Sequence, residues 1–228
     1  MARDGEVQRA AHDFVRVANP HRYSYNFDWL GLPIIQYPAD IVAVQELIWR
    51  VKPQVIVETG VARGGSLALS ASILEILGGD RFVIGVELEL REHNRRALDA
   101  HALAPRIKIV DGSSVQPDVI AQVEQLVGGR TPVLVLLDSN HTHEHVLAEL
   151  DAYAGLVGPG SYVVVFDTVV EYLPASDFVD RPWRPGNSPK TAADEFLSRP
   201  DCRFVVDEEF DAKLAISVAR GGYLRCVR

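Results

Sequence analysis

Residues 54–66 read QVIVETGVARGGS, and the reading of this stretch decides the fold. Val55, Ile56 and Val57 form a short β-branched apolar run, the composition of a parallel strand buried on both faces. The run ends in Glu58-Thr59-Gly60 and passes into a loop with Val61, Gly64 and Gly65; Ser66 then opens an apolar, helix-like segment to Leu77. Strand, glycine turn and helix in this order make the ligand-binding unit of open α/β sheets. Glycine at position 60 lets backbone approach a ligand closely. No Lys follows the glycines, so a Walker phosphate loop does not fit. The spacing is not the G-x-G-x-x-G of dinucleotide sites either, which disfavours an NAD-linked oxidoreductase. An acid at the strand end would repel a pyrophosphate and attract a cation or an amine. That charge favours S-adenosylmethionine (SAM), which carries an ammonium and a sulfonium.

At 228 residues, with 47% hydrophobic and 24% charged residues, the chain suits one soluble domain with a full core. A net charge of −8 without a basic stripe argues against nucleic-acid binding through phosphates. Cys202 and Cys226 are the only two cysteines, too few for a disulfide scaffold, and are expected as reduced thiols in strand-like surroundings. The charged N-terminus lacks the apolar core of a signal peptide. No apolar run approaches the ~20 residues that span a bilayer. A cytoplasmic protein is the expectation.

Around the first strand the chain divides into a cap, residues 1–52, and a core, residues 53–228, of one domain. The pattern over residues 1–18 predicts a short amphipathic helix with Val7, Ala10, Ala11, Phe14 and Val15 on one side. The aromatic stretch after it, with His21, Tyr23, Tyr25, Phe27 and Trp29, is either a cover over the core or a wall that stacks on a ring or sugar. Asp40 to Val51 is a helix with a stripe of Ile41, Val44, Leu47 and Ile48. Beyond the glycine loop, strands at 81–87, 107–110, 132–137 and 162–166 alternate with helices at 91–101, 117–127 and 145–156. A loop at 168–188, a short helix at 191–197 and late strands at 203–206, 214–218 and 223–227 follow. Strands alternating with helices make a mostly parallel sheet covered on both faces. Gly221-Gly222 between two late strands suggests an antiparallel C-terminal hairpin.

Glu58, Glu87, Asp111, Asp138 and Asp167 each fall at the carboxyl end of an expected strand. Those ends share one rim in an open sheet, and ligands bind there. Like charges gathered this way need bound cations or donors. Glu87 can accept both ribose hydroxyls, and the Asp111-Gly112-Ser113-Ser114 turn can hold an adenine edge. Asp138 and Asp167 lie nearer the centre, where a hard cation would be held by oxygen. Asp138 opens DSNHTHEHV, with His141, His143 and His145. Such a run can bind Zn or Fe, but a general base that titrates near neutral pH is the better use.

With these residues in hand, the chain resembles class I SAM-dependent methyltransferases, and more narrowly the bacterial cephalosporin hydroxylase/rhamnosyl O-methyltransferase family. KPQVIVETGVARGGS, FVIGVELE, LLDSNHTHEHV, GPGSYVVVFDT and RPWRPGNSPKTAADEFL carry the resemblance. It implies a Rossmann-like, mostly parallel seven-stranded sheet with an antiparallel C-terminal hairpin. It implies transfer of the SAM methyl to a hydroxyl of a sugar, glycolipid or glycosylated natural product, in a homo-oligomer, assisted by Mg²⁺. By position, Glu58, Gly60, Val61, Gly64, Gly65 and Ser66 fall on the donor's methionine part, Glu87 on its ribose, Asp111 to Ser114 on its adenine, and Asp138 beside it. Asp138, Asp167 and Thr168 fall on metal-ligand positions, with Phe166 where related chains carry an acid. His141 takes the place of the catalytic lysine of catechol O-methyltransferase-type enzymes. Tyr25, Trp29, His143, Glu171 and Trp183 are expected around the acceptor. An Fe or Zn enzyme using His141, His143 and His145, and a non-catalytic SAM-binding partner protein, are the alternatives.

Overall fold

The structure is a computed structural model describing residues 4–228. Asp4 accepts from the backbone N–H groups of Glu6 and Val7 and so caps α1 (Gly5–Ala18), satisfying donors a helix start leaves free. A small antiparallel hairpin follows, β1 (Phe27–Trp29) and β2 (Leu32–Ile34). α2 (Pro38–Val51) starts on a proline and ends at Lys52 in the left-handed conformation. The alternating core then runs β3 (Val55–Thr59), α3 (Gly65–Leu77), β4 (Phe82–Glu87), α4 (Glu92–Asp99), β5 (Ile107–Asp111), α5 (Pro117–Val127), β6 (Val133–Leu137), α6 (His143–Tyr153) and β7 (Tyr162–Val165). α7 (Pro189–Ser198), β8 (Phe204–Val206), α8 (Glu208–Lys213) and β9 (Tyr223–Cys226) complete the chain.

Seven strands lie in the order β5-β4-β3-β6-β7-β9-β8. The five from β5 to β7 are parallel, and β9 runs antiparallel to both β7 and β8. Starting from β3 the chain moves outward through β4 to β5, then crosses back to place β6 on the other side of β3. This reversal between β3 and β6 opens a crevice at their carboxyl ends, where ligands bind in such sheets. Every residue of β3, β6 and β7 is buried, as expected for parallel strands with helices on both faces. One apolar core joins the sheet to α2, α3 and the N-terminal cap, and a second joins its other face to α5, α6 and α7.

Three expectations are corrected. Residues 214–218 form no strand. Ser217 Oγ and Val218 N–H instead donate to Asp40 on α2, at 2.6 and 2.8 Å, and Tyr223 O–H adds a third bond at 3.0 Å. The partner of β9 is β8, with the unforeseen α8 between them, capped by the Asp207 carboxylate. Of the N-terminal aromatics, Tyr23 packs edge-on with Phe14, Phe27 and Tyr37, and Trp29 donates to Ser72 Oγ at 3.1 Å on α3. They cover the core, and the expectation of Trp29 as an acceptor contact does not hold. Cys226 is buried in β9 and Cys202 lies in the turn before β8, both as free thiols. Among the described residues no helix is long and apolar enough to cross a membrane.

Candidate active site

The crevice holds a cavity of about 650 Å³. The glycine loop forms one wall through Gly60, Val61, Ala62, Arg63, Gly65 and Ser66. Asp138 and His141 from the end of β6, with Asp167 from the end of β7, form the floor. Tyr25, Gln36 and Tyr37 come from the cap, and Arg181 and Trp183 from the loop after β7.

Local backbone sets the loop. Gly60 has φ +86°, and a Cβ there would lie 2.1 Å from the Asp138 carbonyl oxygen. Only glycine lets β3 and β6 come this close as they leave the sheet. Glu87, at the end of β4, accepts from the N–H groups of Val61 and Ala62 at 2.8 and 2.9 Å. Asn94 donates to the Ala62 carbonyl at 2.8 Å. The expected ribose carboxylate thus clamps the loop. Glu58 is 2% exposed and does not line the cavity. Its Oε1 accepts from Ser66 Oγ and its Oε2 has no partner. Burial pushes its pKa up to about 7, against the lowering effect of the Ser66 bond.

Asp138, His141 and Asp167 each bring a ligand atom within 4.8 Å of the others. His141 Nε2 lies 3.2 Å from Asp167 Oδ2, and the Trp183 ring meets the imidazole edge-on at 4.8 Å between centroids. Asp167 sits at φ +52°, a strained conformation for a non-glycine residue, of the kind found at functional sites. Burial, then the charges of Asp167 and Glu58, raise the Asp138 pKa well above the carboxylate range, while a 2.9 Å bond from Gln36 Nε2 lowers it. Gln36 is itself buried, with Oε1 unpartnered. Two close carboxylates and the orphaned buried Gln36 oxygen beside them fit a bound cation.

Other expected site residues fall elsewhere. Thr168 is fully buried and donates to the carbonyls of Val218 and Arg220, at 3.3 and 2.8 Å; His141 and not Thr168 completes the cluster. Phe166 is buried in the core. His143 bonds Thr191 Oγ1 at 2.9 Å and Glu195 at 3.1 Å, tying α6 to α7 rather than facing an acceptor. His145 turns to Ser114, Ser139 and Glu149. The three histidines therefore diverge and do not form a common Fe or Zn site. Glu171 accepts from Gly186 N–H and Ser188 Oγ, holding its own loop instead of an acceptor. Asp111 is exposed and pairs with Arg95; Gly112, Ser113 and Ser114 follow it beyond the cavity, on the β5 side. Among the cavity residues that the sequence reading missed are Gln36, Tyr37, Arg63 and Arg181; for Gln36 a signal existed. A glutamine inside the apolar run Pro33-Ile34-Ile35-Gln36-Tyr37 was the available signal.

Residues 21–227 match the family model Rhamnosyl O-methyltransferase/CmcI. The chain belongs to this family. It is 28% identical over 162 residues to the rhamnosyl O-methyltransferase of Mycobacterium bovis (strain BCG / Pasteur 1173P2), covering 68% of this chain and 64% of the relative, so it spans a little under two thirds of that protein's length. Among solved structures, a CmcI with Mg and SAM superposes with TM-score 0.62 at 20% identity, over 90% of this chain and 78% of that one. MycE, a methyltransferase from the mycinamycin biosynthetic pathway in complex with Mg and SAH, gives TM-score 0.52 at 17% identity, over 84% and 50%. At these identities the two structures establish the class I methyltransferase fold of this family member.

Proposed function

We propose that this family member is a SAM-dependent O-methyltransferase acting on a hydroxyl of a sugar or a glycosylated small molecule, with a divalent ion, Mg²⁺, as second cofactor. The observation that carries this reading is the Asp138–His141–Asp167 cluster facing the glycine loop across one cavity. The rhamnosyl and mycinamycin relatives support a hydroxylated small-molecule acceptor.

When bound, SAM supplies an electrophilic methyl, and a divalent ion on Asp138 and Asp167 supplies positive charge that eases ionisation of an acceptor hydroxyl. Mg²⁺ prefers oxygen ligands, so His141 is left as the base. With Nε2–H donated to Asp167, Nδ1 holds the lone pair that takes the hydroxyl proton, and Asp167 steadies the resulting imidazolium. Trp183 holds the imidazole edge-on. The glycine loop receives the donor, Glu87 fixes that loop, and Gln36 fixes Asp138. Tyr25, Tyr37 and Trp183 close over the acceptor and exclude water.

Calorimetric titration with SAM, with and without Mg²⁺, followed by a glycoside screen for SAH release, tests the proposal. SAM binding with Mg²⁺-dependent SAH release is expected. Tight Fe or Zn with no SAM affinity would overturn it, and SAM binding without transfer to any hydroxyl would leave a non-catalytic partner protein instead.

A further inference from the structure

Behind the strand ends lies a polar hub that the transfer chemistry does not use. Glu149, on α6, is completely buried. Its Oε1 accepts from Ser114 Oγ at 2.5 Å and from Ser139 Oγ at 2.6 Å, while its Oε2 has no partner. His145, one turn earlier, brings Nε2 to 3.4 Å from the same Oε1 and to 3.1 and 3.3 Å from the two hydroxyls. Tyr153 O–H donates to the Ser114 carbonyl at 2.6 Å. A carboxylate only accepts, so both serines spend their protons on Glu149 and keep lone pairs for the imidazole.

An apolar side chain of similar volume would pack α6 on the sheet without the desolvation cost of a buried carboxylate. It could not tie two separate turns to one point with charge-assisted hydrogen bonds. Ser114 belongs to the turn after β5, and Ser139 directly follows Asp138 at the end of β6. These turns lie on opposite sides of the β3–β4 pair in the sheet.

We propose that Glu149 is a positioning residue for the methyl donor: by holding Ser114 and Ser139 together it sets the turn after β5, where the family resemblance puts the adenine, against the Ser139 turn that lines the cavity. The proposal rests on the SAM reading of the site. A ligand that spans both turns binds tightly only when their spacing is set beforehand.

The test measures Kd for SAM by calorimetry and the melting temperature for the wild type, Glu149→Ala, Glu149→Gln, Ser114→Ala and Ser139→Ala. Glu149→Ala should raise Kd for SAM by about 10–100-fold, the usual effect of losing a supporting partner. Glu149→Gln should recover most of that affinity, because its carbonyl oxygen still accepts both hydroxyls. Adding Ser114→Ala to Glu149→Ala should cost little further affinity, since both remove one tie. A lowered melting temperature with unchanged Kd for SAM would mean a merely structural role and overturn the inference. If Glu149→Ala does not fold, the serine variants decide: a raised Kd in both supports it, and wild-type Kd in both overturns it. A wild type that fails to bind SAM overturns the reading of the whole site, whereas SAM binding equal in the wild type and all variants overturns this inference alone.

Discussion

His141 Nε2 stands 3.2 Å from Asp167 Oδ2, so the loop after β6 and the strained end of β7 meet through one imidazole–carboxylate contact. Under the proposed mechanism His141 contributes to turnover and not to metal affinity. His141→Ala should lower kcat by about 10²–10⁴-fold while Kd for Mg²⁺ and for SAM stay at wild-type values. A loss of Mg²⁺ affinity of about tenfold or more, read by calorimetry, would make His141 a ligand instead.

Glu87 accepts two backbone N–H groups of the glycine loop. Glu87→Ala leaves both donors without that partner and should weaken SAM binding, with a stability loss of about 1–3 kcal/mol. Glu87→Gln, which keeps one acceptor, should fall between. Urea unfolding and SAM titration of the three proteins check this; normal SAM affinity in Glu87→Ala would show that the loop keeps its shape unaided.

Gly60→Ala would place a methyl 2.1 Å from the Asp138 carbonyl oxygen at φ +86°. Strain and the backbone clash together should cost more than about 2 kcal/mol. The ends of β3 and β6 would have to part, so SAM binding should be lost even in the folded fraction. Chemical denaturation and calorimetry at low temperature measure both effects, and unaltered stability would contradict the close approach.

Asp40 supplies a pH dependence whose sign follows from its burial. Its pKa is pushed up from the ordinary 3.8 to about 6, chiefly by desolvation and against three hydrogen bonds. The native state thus prefers the protonated carboxyl. Its contribution to stability is complete below about pH 4 and disappears as pH rises through 6. Relative to Asp40→Asn, which has no such titration, the wild type should lose about 2 kcal/mol between pH 4 and 7. Urea midpoints of the two proteins across that range test it. A difference that grows in the opposite direction would mean the ionised form is the favoured one.

Local pattern made β3, the glycine loop and α3 legible, because a β-branched run, two turn glycines and an apolar helix leave few alternatives. The acids at the strand ends were legible for the same reason, since strand ends define the rim. Side-chain direction was not. His141, His143 and His145 are equivalent in sequence, yet helix α6 begins at His143 and sends each ring to a different neighbour. Only His141, still in the loop, reaches the cavity. Thr168 and Glu171 lie beside Asp167 in the chain, but backbone carbonyls and N–H groups claim their side chains. The segment 214–218 has strand composition; Asp40, some 175 residues away, holds it in another shape. Gln36 escaped because its partner Asp138 lies 102 residues further along the chain.

Asp40 on α2 accepts from Ser217, Val218 and Tyr223, and Gln36, four residues before it, reaches Asp138. The seat of Asp138 is therefore tied, through Gln36 and the start of α2, to the stretch between Ser217 and Tyr223 far along the chain. A chain cut between Asp167 and Ser217 would keep every acid of the rim and still lack the contacts that hold Asp40 beside Gln36, so the shape of the crevice at Asp138 rests on residues outside the rim.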